Sequence, residues 1–208
     1  ITKRSLNVFY YACSYAKVDY SNFMNITART ALKLIPDPLK THPVFLCVDD
    51  TMVSKSGKKF ENVSKLFNHA AHNGSNYLNG HCFVSIMLCV PVLDHDKISY
   101  LSVPLGYGYR MWQKKESKLE LAASMIRQVM PEFLSKEHVI ILCDSWYTKK
   151  NLVSIIDEYP NLDLIGNARI DSVMYDLAPE RTGRRGRPAK HGKRLCVETD
   201  FTFSKEKI

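Results

Sequence analysis

Residues 44–50, Val-Phe-Leu-Cys-Val-Asp-Asp, and residues 139–144, Val-Ile-Ile-Leu-Cys-Asp, decide the fold of this 208-residue chain. Each run is apolar, rich in β-branched residues and free of polar alternation, which is typical of a strand covered on both faces. Each run ends in aspartate. If the two strands are neighbours in one sheet, their aspartates meet at its carboxyl edge, where α/β sheets bind ligands.

The segments between and after these runs predict the rest of the sheet. Apolar residues at 81–93 and 98–105, separated by a polar turn, predict an antiparallel meander with the first strand. A helix is expected over 114–129, with Leu119, Ala122 and Ile126 on its buried face and Lys118 facing away. A second helix at 149–158 and a strand at 162–165 complete a parallel β-α-β unit. We therefore predict an α/β fold with a mixed five-stranded sheet and helices on its faces.

Residues 1–40 predict a short N-terminal helical segment. Phe9, Tyr10 and Cys13 have helical spacing and form one predicted face, and Ile26 and Thr30 belong to a second short helix. Prolines at positions 36 and 38 end this segment, because proline removes a backbone donor and restricts the residue before it. Residues 41–208 form the predicted main α/β unit.

Composition narrows the class of protein. The chain is 45% hydrophobic and carries a formal net charge of +8, which is typical of a folded protein with a polyanionic partner. The sequence has no apolar run long enough to span a membrane and no pattern typical of a signal peptide at its start, so we expect neither. The charged run at 205–207 leads us to expect a fragment of a longer protein.

The cysteines and histidines do not predict a zinc or disulfide site. None of the six cysteines belongs to a C-x-x-C pair, so we expect small core residues in a reducing cytoplasm. His69, His72 and His81 with Cys82 fit no common zinc spacing, and His81 and Cys82 should point to opposite faces of a strand.

Two carboxylates at one sheet edge suggest metal chemistry. They repel each other unless a cation lies between them, and hard oxygen ligands suit Mg²⁺ or Mn²⁺. The alternative is that each aspartate caps the turn or helix that follows it. Strand alternation allows at most one of Asp49 and Asp50 to face a metal, and it does not say which.

Three motifs resemble the insertion-sequence transposases of the DDE type, a bacterial cut-and-paste family. Residues 48–51, Val-Asp-Asp-Thr, with Lys55 and Gly57 after them, are similar to the family's first acidic motif. Residues 143–147, Cys-Asp-Ser-Trp-Tyr, are similar to its second. Residues 183–192, Gly-Arg-Arg-Gly-Arg-Pro-Ala-Lys-His-Gly, resemble its basic segment. The resemblance covers roughly residues 40 to 200 and keeps the family's order.

The resemblance implies a ribonuclease-H-like catalytic core at 41–208 that hydrolyses and rejoins DNA with Mg²⁺, or Mn²⁺, as cofactor. Metal ligands would be Asp144 and Asp50, the aspartate directly before threonine, with Asp49 as the alternative. The family's final glutamate lies on a later helix. Neither Glu198 nor Glu206 has that context, so we expect the third ligand beyond Ile208 and a core that is incomplete at its C-terminal end.

A basic segment and several residues near the acids are predicted to contact DNA. The segment at 181–194 contains no acid, and its glycines and proline leave it extended as a basic loop, so its attraction to phosphates needs no exact geometry. Part of it resembles an AT-hook core, which enters the minor groove. Tyr147 is a further candidate for base stacking or for packing. The predicted DNA-binding residues are Lys55, Lys58, Lys59, Trp146, Arg181, Arg184, Arg185, Arg187, Lys190, Lys193 and Arg194.

The sequence thus predicts a transposase core that acts on double-stranded DNA, at element ends and at the target. A homodimer on DNA and a location in the bacterial cytoplasm, associated with the nucleoid, are parts of this prediction. Two alternatives stay open: a nuclease of the same fold, and a non-catalytic DNA-binding remnant of a transposase.

Overall fold

A computed structural model of the chain describes most of the sequence. The described residues are 5–15, 20–57, 59, 63–67, 76–105, 110–111, 117–169, 171–180, 187, 189–196 and 199–202. They form two compact units, residues 1–166 and residues 167–208. In the described part, no helix is long and apolar enough to cross a membrane.

The larger unit contains four helices and seven strands among its described residues. The helices are α1 (Leu6–Tyr15), α2 (Tyr20–Leu32), α3 (Lys118–Val129) and α4 (Lys150–Val153). The strands are β1 (Val44–Ser54), β2 (Ser64–Phe67), β3 (Tyr77–Asp94), β4 (Lys97–Pro104), β5 (Arg110–Met111), β6 (Val139–Cys143) and β7 (Leu162–Gly166).

The sheet has the topology that the sequence predicts. β3 pairs antiparallel with β1 and with β4, whereas β6 runs parallel to both β1 and β7. The resulting order β4-β3-β1-β6-β7 is the mixed five-stranded, ribonuclease-H-like arrangement. The short strands β2 and β5 pair with other parts of β3 and enlarge the sheet.

One face of the sheet holds the hydrophobic core. Along β1, Val44, Leu46 and Val48 are each at most 3% exposed and alternate with partly exposed residues. Helix α3 packs on this face, and Ala122 and Ile126 are fully buried as predicted. The Ser117 hydroxyl accepts from the Glu120 amide and the Glu120 carboxylate accepts from the Ser117 amide, so a capping box sets the start of α3.

The apolar residues that the sequence assigns to the N-terminal helices are largely exposed. In α2 the buried residues are Met24, Ala28 and Ala31, and Ile26 is 48% exposed. In α1, Phe9 and Tyr10 are 52% and 63% exposed. Helix α1 has no charged residue, so its sequence gives little indication of which face is exposed.

Two further expectations need correction. The segment 149–158 is not one helix: α4 has four residues, and a separate 3-10 turn covers Ile156–Glu158. Leu152 and Ile155 are fully buried three positions apart, a spacing that suits the tighter winding. The five cysteines whose side chains the structure describes are free; of these only Cys82 is buried, whereas Cys196 is exposed.

Candidate active site

The predicted acids come together where the parallel pairing of β1 with β6 ends. β6 ends at Cys143, but β1 continues past both aspartates to Ser54 along β3, so the prediction that the first strand ends in aspartate is wrong. Val48 and Cys143 form the last pair of the parallel register, so Asp49 and Asp144 each directly follow the paired residues. Both aspartates line a cleft of about 570 Å³, and Asp50 lines it as well. The cleft lies at the sheet edge that the two apolar runs predict.

Alternation along β1 separates Asp49 from Asp50. Asp50 follows Val48 on the buried side of the strand, whereas Asp49 follows Cys47 on the other side. The register pairs Cys47 with Leu142, so its continuation places Asp144 on the same side as Asp49. Asp49 and Asp144 are exposed, and the Asp50 side chain is only 16% exposed.

The Asp50 carboxylate accepts hydrogen bonds from three other elements. Tyr147, in the turn after β6, donates its hydroxyl to Oδ1 over 3.1 Å. Lys118, the first residue of α3, donates its ammonium to Oδ2 over 2.7 Å. The Cys82 thiol on β3 donates to the same oxygen over 3.4 Å. A buried carboxylate is stable only with such partners.

These contacts set the protonation of the donors. Burial raises the pKa of Cys82 to about 11, while the charges of Lys118 and Asp50 act on it in opposite directions. Burial and the neighbouring Asp50 carboxylate raise the pKa of Tyr147 far above its usual range. Burial by itself would lower the pKa of Lys118, but its hydrogen bond to Asp50 and the charge of Asp50 outweigh burial, so that pKa is raised. Lys118 is therefore a cation and Tyr147 a neutral donor.

Asp144 also organises the turn that follows it. Its Oδ1 accepts from the backbone amides of Trp146 and Tyr147 over 3.0 and 3.3 Å. The capping role considered for the aspartates therefore holds for Asp144, and it does not remove the side chain from the cleft. Gly166 at the end of β7 lies against Thr148, and a Cβ at position 166 would overlap the Thr148 side chain.

Cations surround the exposed edge of the cleft. The Trp146 ring has the Lys149 Nζ 4.4 Å and the Lys118 Nζ 5.2 Å from its centroid. Lys65 on β2 also lines the cleft, with its Nζ 4.6 Å from the Tyr77 ring. Cations within about 6 Å of an aromatic centroid are attracted to the ring.

The predicted DNA-binding residues that the structure describes in the first unit do not all line the cleft. Trp146 lines the cleft, whereas Lys55 and the exposed Lys59 are not among its lining residues, and Lys58 lies outside the described residues. The expectation that Lys118 faces away from the protein is wrong, because it contacts Asp50. Ser117 and Glu120 are a sequence signal that places Lys118 in the first helical turn. Tyr147 is fully buried, so it packs in the core and does not offer its ring to a base.

The smaller unit holds the described part of the basic segment. Its strands β8 (Met174–Tyr175) and β9 (Arg194–Leu195) pair antiparallel, and the rings of Tyr175 and His191 stack with centroids 4.9 Å apart. The basic segment therefore follows β8 and ends in β9, its pairing partner. Arg187, Lys190, Lys193 and Arg194 are exposed. Arg181, Arg184 and Arg185 lie outside the described residues, as do His69, His72, Glu198 and Glu206.

The donor set at the cleft fits a hard divalent cation that keeps water ligands. Among the described residues, no three histidine, cysteine or acidic side chains form a metal site by themselves. Asp49 and Asp144 offer two carboxylates on one side of the sheet. Mg²⁺ commonly binds through one or two carboxylates, and it completes its shell with water and substrate phosphates.

Comparisons with known proteins identify a family. The family model described as "DDE superfamily endonuclease" matches residues 14–206. No curated protein matches the chain. A solved structure, the crystal structure of the Mos1 strand transfer complex, is similar at 11% identity and a TM-score of 0.29, covering 78% of this chain and 49% of that one. The chain thus spans about half of that solved chain, and at this TM-score the similarity adds nothing to the strand order.

Proposed function

Because the chain belongs to the DDE superfamily endonucleases, we propose that it is the catalytic core of a DNA transposase. It would hydrolyse phosphodiester bonds at the ends of an insertion element and join those ends to target DNA. The observation that carries this proposal is the parallel register of β1 and β6, which continues to Asp49 and Asp144 in one cleft.

Asp49 and Asp144 are the metal ligands in this proposal. The sequence resemblance favours Asp50 over Asp49, but the geometry supports Asp49, because it is exposed on the same side of the sheet as Asp144. The three donors around Asp50 already use both of its oxygens. Mg²⁺ or Mn²⁺ at Asp49 and Asp144 would activate the attacking water or 3′-hydroxyl and stabilise the leaving oxygen.

The cations at the cleft would bind and orient the DNA backbone. Lys65 and Lys118 line the cleft beside the acids, and Lys149 lies at the Trp146 ring. These ammonium groups would attract a phosphodiester that enters the cleft. Trp146, which is 36% exposed, can stack on a base that leaves the duplex.

The basic segment would bind DNA outside the cleft. The exposed side chains of Arg187, Lys190, Lys193 and Arg194 supply positive charge that attracts phosphates with a strong dependence on salt. We propose double-stranded DNA, at the element ends and at the target, as the partner of a homodimer in the bacterial cytoplasm.

The test uses the full-length protein and a supercoiled plasmid that carries the DNA flanking its gene. With Mg²⁺ or Mn²⁺ we expect nicking and double-strand cleavage at the element ends, and strand-transfer products on a second plasmid. Asp144→Asn should reduce cleavage to background while DNA binding persists. Asp163→Asn is the matched control, because Asp163 is an exposed aspartate near the other end of β7, paired with His138.

The outcomes separate the candidate functions. Cleavage without strand transfer would indicate a nuclease of the same fold. DNA binding without any metal-dependent cleavage by the wild-type protein would indicate a non-catalytic remnant. Undiminished cleavage by Asp144→Asn would contradict the assignment of the site.

A further inference from the structure

Asp50 is the least exposed of the three aspartates that line the cleft. Its side chain is 16% exposed, lies on the buried side of β1 and accepts from donors on α3, on β3 and in the turn after β6. These elements are distant in sequence, so Asp50 is the point at which they are tied to β1. The same turn carries Asp144, and the Lys118 side chain lines the same cleft.

Lys118 gives this carboxylate a permanent cation. The two side chains are 20% and 16% exposed, and their charged atoms are 2.7 Å apart. Partly buried charges at this distance attract each other several times more strongly than in water. The ammonium therefore supplies the neutralisation that a metal ion would otherwise give to Asp50.

We propose that Asp50 and Lys118 form a built-in ion pair that positions the active site and leaves Asp49 and Asp144 as the charges available to a divalent cation. Asp50 is thus a positioning residue: through Tyr147 it orients the turn that bears Asp144, and through Lys118 it fixes the first turn of α3. This inference rests on the proposed function, because it concerns the same cleft.

Substitutions of Asp50 and Lys118 can separate the contributions that the two charges make to the charge of the cleft. With the pair intact, its own net contribution is zero. Removing only the ammonium leaves an additional negative charge near the metal position, and removing only the carboxylate leaves an additional positive charge. Removing both restores neutrality without either side chain. A metal ligand would behave differently, because its loss cannot be offset by deleting a neighbouring cation.

The experiment measures Mn²⁺ affinity of the full-length protein without DNA, by titration with electron paramagnetic resonance detection. We compare the wild type with Asp50→Asn, Lys118→Met and the double variant. The Kd should rise about tenfold for Asp50→Asn and fall about tenfold for Lys118→Met, since a unit charge within several ångströms changes the field at a divalent ion by this order. The double variant should return to within about threefold of the wild type. Asp163→Asn, at the remote end of β7, should leave the Kd unchanged.

A thermal unfolding series on the same proteins tests the positioning role independently of metal. Each single variant leaves one partly buried charge unpaired, so each should melt below the wild type, and the double variant should melt above the worse of the two singles. A double variant that stays as weak in Mn²⁺ binding as Asp50→Asn would overturn the inference, because Asp50 would then be a ligand. Additive losses in the thermal series would overturn it as well.

The failure of the proposed function has a different signature. If the wild type binds no Mn²⁺, the metal-dependent chemistry is contradicted, and the thermal series alone decides whether Asp50 and Lys118 act as a pair. If the wild type binds Mn²⁺ but the two single variants do not change the Kd in opposite directions, the proposed function survives and the ion-pair inference does not.

Discussion

Replacing Tyr147 with phenylalanine removes one hydroxyl from the centre of the site. The ring is fully buried and phenylalanine fills the same volume, so the substitution creates no cavity of consequence. What is lost is the hydrogen bond from the hydroxyl to Asp50 Oδ1, which is 3.1 Å long. Asp50 retains its hydrogen bonds from Lys118 and Cys82, so its carboxylate loses one of three side-chain donors.

The expected loss of stability follows from the charge of the acceptor. A hydrogen bond to a charged group contributes about 1.5–3 kcal/mol, so we expect the free energy of unfolding to decrease by about 2 kcal/mol. For a chain of this size such a loss lowers Tm by about 4–8 °C. Urea unfolding should give a lower midpoint with an unchanged slope, because the surface exposed on unfolding is the same.

Tyr100→Phe is the matched control for this substitution. Tyr100 is 37% exposed, and its hydroxyl donates to the Pro43 carbonyl over 3.3 Å. The acceptor is neutral and accessible to water, so we expect a loss of about 0.5 kcal/mol. Equal effects of the two substitutions, or an unchanged Tm for Tyr147→Phe, would refute the argument that Asp50 depends on its buried donors.

Three further predictions concern the helix cap, the thiols and the basic segment. Ser117→Ala removes the capping box of α3 and should lower the free energy of unfolding by about 1 kcal/mol in urea titration, and no loss would mean that the cap is not formed in solution. Burial raises the pKa of Cys47 to about 12 and that of Cys82 to about 11. The unfolded thiols ionise near pH 8.5, so the stability that the neutral buried thiols contribute is complete below that pH and is lost as the pH rises above it. The free energy of unfolding should therefore fall between pH 9 and 11, and it should fall less steeply in Cys82→Ala. Equal dependence on pH in the two proteins would contradict this. Neutral substitution of four exposed basic residues should reduce the slope of log K against log salt for duplex DNA by about three to four, and an unchanged slope would show that they do not contact phosphates; the residues are Arg187, Lys190, Lys193 and Arg194.

The sheet could be predicted because its central strands carry unambiguous patterns. The runs at 44–48 and 139–143 lack polar residues, and in a mixed sheet such strands are interior. Their order along the chain, with a meander before the helix and a parallel crossover after it, leaves few arrangements. The residues that follow these two runs therefore had to meet, and the parallel register confirms this part of the prediction, although β1 itself continues to Ser54.

The distinction between Asp49 and Asp50 could not be obtained in the same way. It depends on which side of β1 the helices cover, and the apolar run has no polar side to indicate this. Lys118 was missed for a related reason: a helical wheel places it among polar residues, but at the first turn of a helix the side chain points back toward the preceding sheet edge. Only the capping box, read as a boundary, predicts that position.

The parallel pairing of β1 with β6 also determines when the site comes into existence. Strands β2 to β5 and helix α3 lie between these two segments in sequence, so their pairing closes the longest loop among the sheet contacts of the first unit. Contacts of this kind form late, because the chain must lose much of its freedom before they are gained. A chain still emerging from the ribosome, or one stalled before β6, has Asp49 without Asp144. Under the proposed function, the capacity to cut DNA would therefore be acquired only once β6 has paired with β1.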